Sequence, residues 1–233
     1  MENRKHTSLK DLAQALGVSI PTVSRALKDS PEISRELCAK AKALAKEMNY
    51  RPNPFAMSLR KNAPRIIGVI VPDIVTHFFA SILNGIENMA IANGYFVIIT
   101  TSHESYEHEK RNIENLVNMR VEGIIACLSQ ETTDFSHISA LKDINMPLIL
   151  FDRVCLTDQF SSVIADGAQS AQIATQHLLD NGSKRVAFIG GANHLDIVKR
   201  RKHGYLEALR ENRIPIEKEL VVCRKIDYEE GKI

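Results

Sequence analysis

The chain has 233 residues, 44% hydrophobic and 25% charged, more than one ordinary domain needs and within the range of a globular protein. No apolar run approaches the ~18–20 residues of a membrane span, and the first residues, MENRKHTSLKDLA, contain no apolar signal region, so membrane and export classes find no support. The net charge of +2 is unevenly spread: residues 1–65 hold 13 Lys/Arg against 6 Asp/Glu, and residues 66–233 hold 17 against 22.

A basic head on an acidic body points to a polyanionic partner for the head alone, or else to a solvated charged surface. The four cysteines, Cys38, Cys127, Cys155 and Cys223, form no CxxC pair, which fits free thiols in the reducing cytoplasm.

Helical periodicity dominates the first 50 residues. Leu9, Leu12, Ala13 and Leu16 share one face; Val23, Ala26 and Leu27 share a second; Leu37, Ala41, Leu44, Ala45 and Met48 share a third, after a Ser34 N-cap. Gly17 falls between the first two patterns, where a tight turn is required, and Ser19 can cap the second helix. Pro21 is harmless there because its missing N–H lies in the first turn. With Val23 and Leu27 inward, that helix exposes Ile20, Pro21, Thr22, Ser24 and Arg25. In a helix-turn-helix, such residues meet DNA bases. Arg25 suits a bidentate contact to guanine O6/N7, and Ile20 and Pro21 suit a thymine methyl. A generic helical hairpin is the alternative.

RPNP (51–54) then breaks the pattern; Asn53 can cap a short helix with Pro54 in its first turn, and KNAPR (61–65) reads as a linker. From residue 66, apolar runs alternate with amphipathic segments. Strands are predicted at 66–72, 95–101, 123–128, 148–151, 161–166 and 185–191, with helices at 78–93, 105–120, 134–144, 167–182 and 197–213. This alternation predicts parallel sheets covered by helices, which bind ligands outside the carboxyl ends of their strands. The expected domains are 1–52, a helix-turn-helix head; 53–65, a hinge helix and linker; and 66–233, a core with a first lobe to about 165 and a partial second lobe.

LKDLAQALGVS, TVSRAL, ISRELCAKAKALAKEMNYRPNPFAMSLR and IIGVIVPDI, in this order and spacing, resemble the lac repressor (LacI/GalR) family of bacterial transcription regulators. The resemblance runs through the whole chain. It implies a small all-α helix-turn-helix head plus an α/β core like a periplasmic sugar-binding protein. It further implies a homodimer that binds a palindromic double-stranded DNA operator and is controlled by a small-molecule effector, a sugar or nucleobase. By that resemblance Ile20, Pro21 and Arg25 read bases, while Ser19, Thr22, Ser24 and Tyr50 bind phosphates. Asn53 to Arg60 match a hinge helix, in which Ala56 allows close approach of its twin, Leu59 wedges between central base pairs and Arg60 follows into the minor groove. Read without the family, Leu59 is equally a linker residue and Arg60 a solvated charge.

For the effector, the resemblance points to Phe78, Phe79, Asp152, Leu195, Ile197 and Arg201, with Arg153 and Asp166 as weaker candidates. Phe78 and Phe79 read equally well as core on a helix face, and Arg201 as part of a solvated KRRK run. Leu195 and Ile197 are apolar where some members are polar. Members of the family have roughly a hundred more residues, so a truncated chain with an incomplete second lobe, poor effector sensing and uncovered apolar sheet edges is expected.

Enzymatic readings find no GxGxxG, P-loop, GxSxG or HExxH, and no cofactor or metal is expected. A small-molecule binding protein without a regulatory role would have no use for the basic head. A non-specific architectural DNA binder would show no preference for an inverted repeat with a flexible central pyrimidine–purine step.

Overall fold

A computed structural model describes residues 7–50 and 65–224. The chain divides into two units, residues 1–64 and 65–233.

In the first unit, α1 (Leu9–Leu16), α2 (Ile20–Ala26) and α3 (Arg35–Glu47) enclose a core of Leu12, Ala13, Val23, Ala26, Cys38 and Ala41. The helix starts obey capping chemistry. Ser8 and Asp11 form a reciprocal capping box on α1, and Ser34 Oγ accepts the Leu37 N–H at 3.3 Å on α3.

The second unit begins with a five-stranded parallel sheet of order β2-β1-β3-β4-β5, built from β1 (Ile66–Val71), β2 (Phe96–Thr101), β3 (Gly123–Ala126), β4 (Leu148–Phe151) and β5 (Ser161–Val163). Alternate residues face opposite sides. Ile66, Ile70, Ile124, Ala126, Leu148 and Leu150 pack under α5 (Tyr106–Asn118) and α6 (Ser136–Asp143) through Ile113, Leu116, Ile138 and Leu141. Val69, Val71, Cys127 and Phe151 pack on the other side against Phe79 and Leu83 of α4 (His77–Ala92). Covering on both faces explains why β1, β3 and β4 are continuous apolar runs.

The chain continues through α7 (Gly167–Asp180), β6 (Phe188–Gly190), α8 (Asp196–Glu211) and a 3-10 turn at Lys218–Leu220 to β7 (Val221–Cys223), which pairs in parallel with β6. A smaller core of Val186, Tyr205 and Leu209 forms here, and the Tyr205 hydroxyl donates to the Val186 carbonyl at 2.9 Å. Strands β5 and β6 are shorter than the sequence predicts, and β7 was not predicted. The apolar side chain of Ile189, in β6, is 84% exposed. Among the described residues, no helix is long and apolar enough to cross a membrane.

Candidate nucleic-acid interface and ligand cleft

In the head, the reversal between α1 and α2 turns on Gly17. Its φ of 63° lies in the left-handed region, and its N–H reaches the Ala13 and Gln14 carbonyls. That conformation is open to glycine at little cost. Ser19 then caps α2: its Oγ accepts the Thr22 N–H at 3.3 Å and lies 2.8 Å from Thr22 Oγ1. Val23 and Ala26 are fully buried, and Leu27, at the C-cap of α2, faces inward as expected, half-buried against both cores of the head. The outer surface of α2 therefore presents Ile20, Pro21 and Arg25 as exposed side chains, with Ser19 at its start and Thr22 and Ser24 half-buried between them. Arg25 Nη1 donates to Glu32 Oε2 at 2.8 Å. Tyr50 packs on the core formed by Leu12, Ala13 and Val23, and burial pushes its phenol above its ordinary value. Asn53, Ala56, Leu59 and Arg60 lie outside the described residues.

In the body, the loops leaving β2, β3 and β4 gather polar groups at the carboxyl end of the sheet, as the topology requires. Asp152 has a left-handed φ of 58°, and its N–H bonds the Val163 carbonyl at 3.1 Å. Burial raises the pKa of its carboxyl, against the pull of the Arg153 and Arg201 charges. Arg153 makes a bidentate bond to Glu104, at 2.6 and 2.9 Å, and also donates to the Leu128 carbonyl at 3.1 Å. Burial opposes its charge, but the bond to Glu104 and the neighbouring negative groups prevail and raise its pKa. Glu104 Oε2 accepts the Gln130 N–H at 2.8 Å. His194 Nε2 donates to the Gln130 carbonyl at 2.8 Å, tying the segment before α8 to the loop after β3.

Between those segments is a cleft of about 280 Å³. Of the expected effector residues, Leu195 lines it, and so does the weaker candidate Arg153. Asp152 and Arg201 are close enough to interact electrostatically but sit outside its lining, as do the half-buried Ile197 and the exposed Phe78. Asp166 is engaged as the N-cap of α7.

Phe79 takes the second of its two readings, as core on a helix face. It is a core residue, 6% exposed between Val69, Val71 and Leu83, with its ring 6.4 Å from that of Phe151. Neighbours on a helix point about 100° apart, so only one of the FF pair can stay outside; that one is Phe78, 50% exposed.

Glu104 and His194 escaped the sequence reading because they come from loops. Glu109 escaped it too, although a signal was present: it shares the buried stripe of α5 with Ile113 and Leu116. A carboxylate in an apolar stripe needs partners.

Residues 8–53 match the bacterial regulatory proteins of the lacI family, and residues 65–232 match the periplasmic binding proteins and sugar binding domain of LacI family. The chain is 31% identical to catabolite control protein A of Priestia megaterium, over 97% of this chain and 68% of that one. It is 32% identical to the ribose operon repressor of Bacillus subtilis (strain 168), over 88% of this chain and 60% of that one. It therefore spans about two thirds of the length of the curated relatives it matches. The crystal structure of the lac repressor dimer bound to operator and the anti-inducer ONPF superposes with a TM-score of 0.73 at 26% identity, covering 96% of this chain and 66% of that one. Both segments of the chain match models of one family in the order that family requires, and the chain belongs to the LacI family of bacterial regulatory proteins.

Proposed function

We propose that the protein is a cytoplasmic transcriptional repressor. It binds an inverted-repeat DNA operator as a homodimer, under the control of a sugar or nucleobase held by its α/β body. The observation that carries this reading is the row of Ile20, Pro21 and Arg25 exposed on α2 above the buried pair Val23 and Ala26. Residues 1–52 form the reading head, 53–65 the hinge helix and linker, and 66–233 the effector-binding and dimerising core, with lobes dividing near residue 165.

Ile20, Pro21 and Arg25 contact bases in the major groove, and Ser19, Thr22, Ser24 and Tyr50 contact phosphates. Asn53, Ala56, Leu59 and Arg60 serve the minor-groove hinge. The effector contacts are Phe78, Asp152, Leu195, Ile197 and Arg201. The relatives' names support regulation by DNA binding, and the lac repressor dimer was solved on its operator. A dimer also suits the apolar side chains left exposed on α4 and β2, among them Met89 at 67% and Phe96 at 66%.

Selection from a pool of random double-stranded DNA tests the reading. The expected product is an inverted repeat with a central pyrimidine–purine step, bound less tightly as salt rises, with a log–log slope of about −0.9 per phosphate neutralised. Recovery of an unenriched pool would refute it.

A further inference from the structure

We infer that Glu32 is a specificity-determining residue of the reading head, because its carboxylate holds the Arg25 guanidinium and yields it to guanine but not to phosphate. The inference rests on the base-reading role proposed for Arg25. Glu32 lies in the segment between α2 and α3, seven residues after Arg25, and the two side chains meet at 2.8 Å while remaining 66% and 55% exposed. An ion pair so open to water adds little to stability. The head has its own core of Leu12, Ala13, Val23, Ala26 and Ala41, to which this pair contributes nothing. Its consequence lies in what the guanidinium can bind.

Arginine has five N–H donors in a fixed fork, and one terminal nitrogen here is committed to Glu32. Guanine presents two neutral acceptors, O6 and N7, in the major groove. They can share the fork with a carboxylate or displace it without bringing in a second anion. A phosphate carries a full negative charge, and to reach Arg25 it must come beside the Glu32 carboxylate. The same carboxylate that orients the fork for a base thus repels the backbone. Phosphate contacts make up the sequence-independent part of DNA affinity, whereas base contacts specify. A residue that weakens the former while sparing the latter raises the ratio between them, a use of built-in repulsion against the wrong partner. It also reduces the orientational freedom a long side chain must lose on binding.

The test is fluorescence anisotropy on the 233-residue chain with two duplexes of equal length and composition, one selected from the random pool and one scrambled. With E32Q, affinity for the scrambled duplex rises about fivefold, while affinity for the selected duplex changes less than about twofold. The salt slope on scrambled DNA steepens by about 0.9, one further phosphate. In an R25A background, E32Q shifts both duplexes equally, and circular dichroism of every variant shows an intact helical head. Equal shifts on both duplexes with Arg25 present, or a changed ratio that persists without Arg25, overturn the role of Glu32 alone. If the wild-type chain enriches no sequence, the base-reading role of Arg25 falls, and that of Glu32 with it.

Discussion

Glu109 Oε1 accepts a hydrogen bond from His137 Nε2 at 2.8 Å, and both side chains are closed to solvent. The same carboxylate accepts the Ser129 N–H at 2.5 Å and the Thr132 hydroxyl at 2.9 Å, so one residue of α5 fixes the loop after β3 and the start of α6. Replacing it by alanine strands three buried donors. Each uncompensated donor costs about 1–3 kcal/mol, and relaxation recovers part of the sum. Glu109→Ala should lower stability by roughly 3–5 kcal/mol, the range for removing one partner of a buried pair. Glu109→Gln should lose less, because the amide oxygen still accepts. Urea denaturation measures both; a midpoint unchanged in Glu109→Ala would show that the network is not holding this loop.

A second test concerns the crossing of α7 and α8. A Cβ on Gly204 would stand 1.9 Å from the Ala168 carbonyl oxygen, a backbone atom that cannot swing aside. Gly204→Ala therefore has to push the two helices apart. We expect a loss of at least about 3 kcal/mol, at the upper end for overpacking, detected as early proteolysis within residues 167–211. Gains from the better helix propensity of alanine, about 1 kcal/mol, are too small to offset it.

Gly17 separates conformational strain from crowding. Nothing lies within 4 Å of the position a Cβ would take, yet φ is 63°. Gly17→Ala should cost about 1–2 kcal/mol, the left-handed penalty, and Gly17→Asn should cost less. Thermal melts followed by far-ultraviolet circular dichroism give the order; an alanine variant as stable as the parent would show that the turn relaxes.

Alkaline pH should weaken the body. Burial pushes the Cys127 thiol up to about 12, only partly countered by Arg153, and burial with the nearby Glu109 charge pushes Cys155 up to about 12. A thiol with a raised folded pKa keeps a proton that the unfolded chain gives up near 9. Its contribution is complete below about pH 9 and is lost as pH rises toward about 12. For Cys127 the slope is at most about 1.4 kcal/mol per pH unit. Urea midpoints across that range should fall, and they should fall less steeply in Cys127→Ala. Below pH 9 both thiols should resist iodoacetamide until the protein unfolds; rapid labelling of the folded protein would contradict their burial.

Much of this architecture can be read from the sequence because its periodicities are long and local. Ser19 and Ser34 announce helix starts, and the apolar runs of β1, β3 and β4 are legible because the middle of a doubly covered parallel sheet admits few polar residues. What was lost is non-local. VVC at 221–223 is too short to carry a period and becomes a strand only because β6 lies beside it. Phe78 and Phe79 are adjacent and chemically identical, and only the position of β1 and β4 decides which one is covered. Within the cleft, the Arg153–Glu104 pair joins residues 49 positions apart, a separation no local pattern encodes. The DNA-facing residues were easier, since they follow from which side of one short helix is buried.

The strand order has a bearing on how the chain is made. β1 is synthesised first but lies second in the sheet, bonded to β2 on one edge and to β3 on the other. A nascent chain that has emerged as far as Thr101 can complete only the first of these ladders. The opposite edge of Ile67–Ile70 waits for Gly123–Ala126, and at ~5–20 residues per second the wait is on the order of one to five seconds. For that interval an apolar strand with free N–H and C=O groups is available to any other chain nearby. Translation rate and chaperone supply, rather than the stability of the finished fold, should therefore govern how much of this protein accumulates in native form.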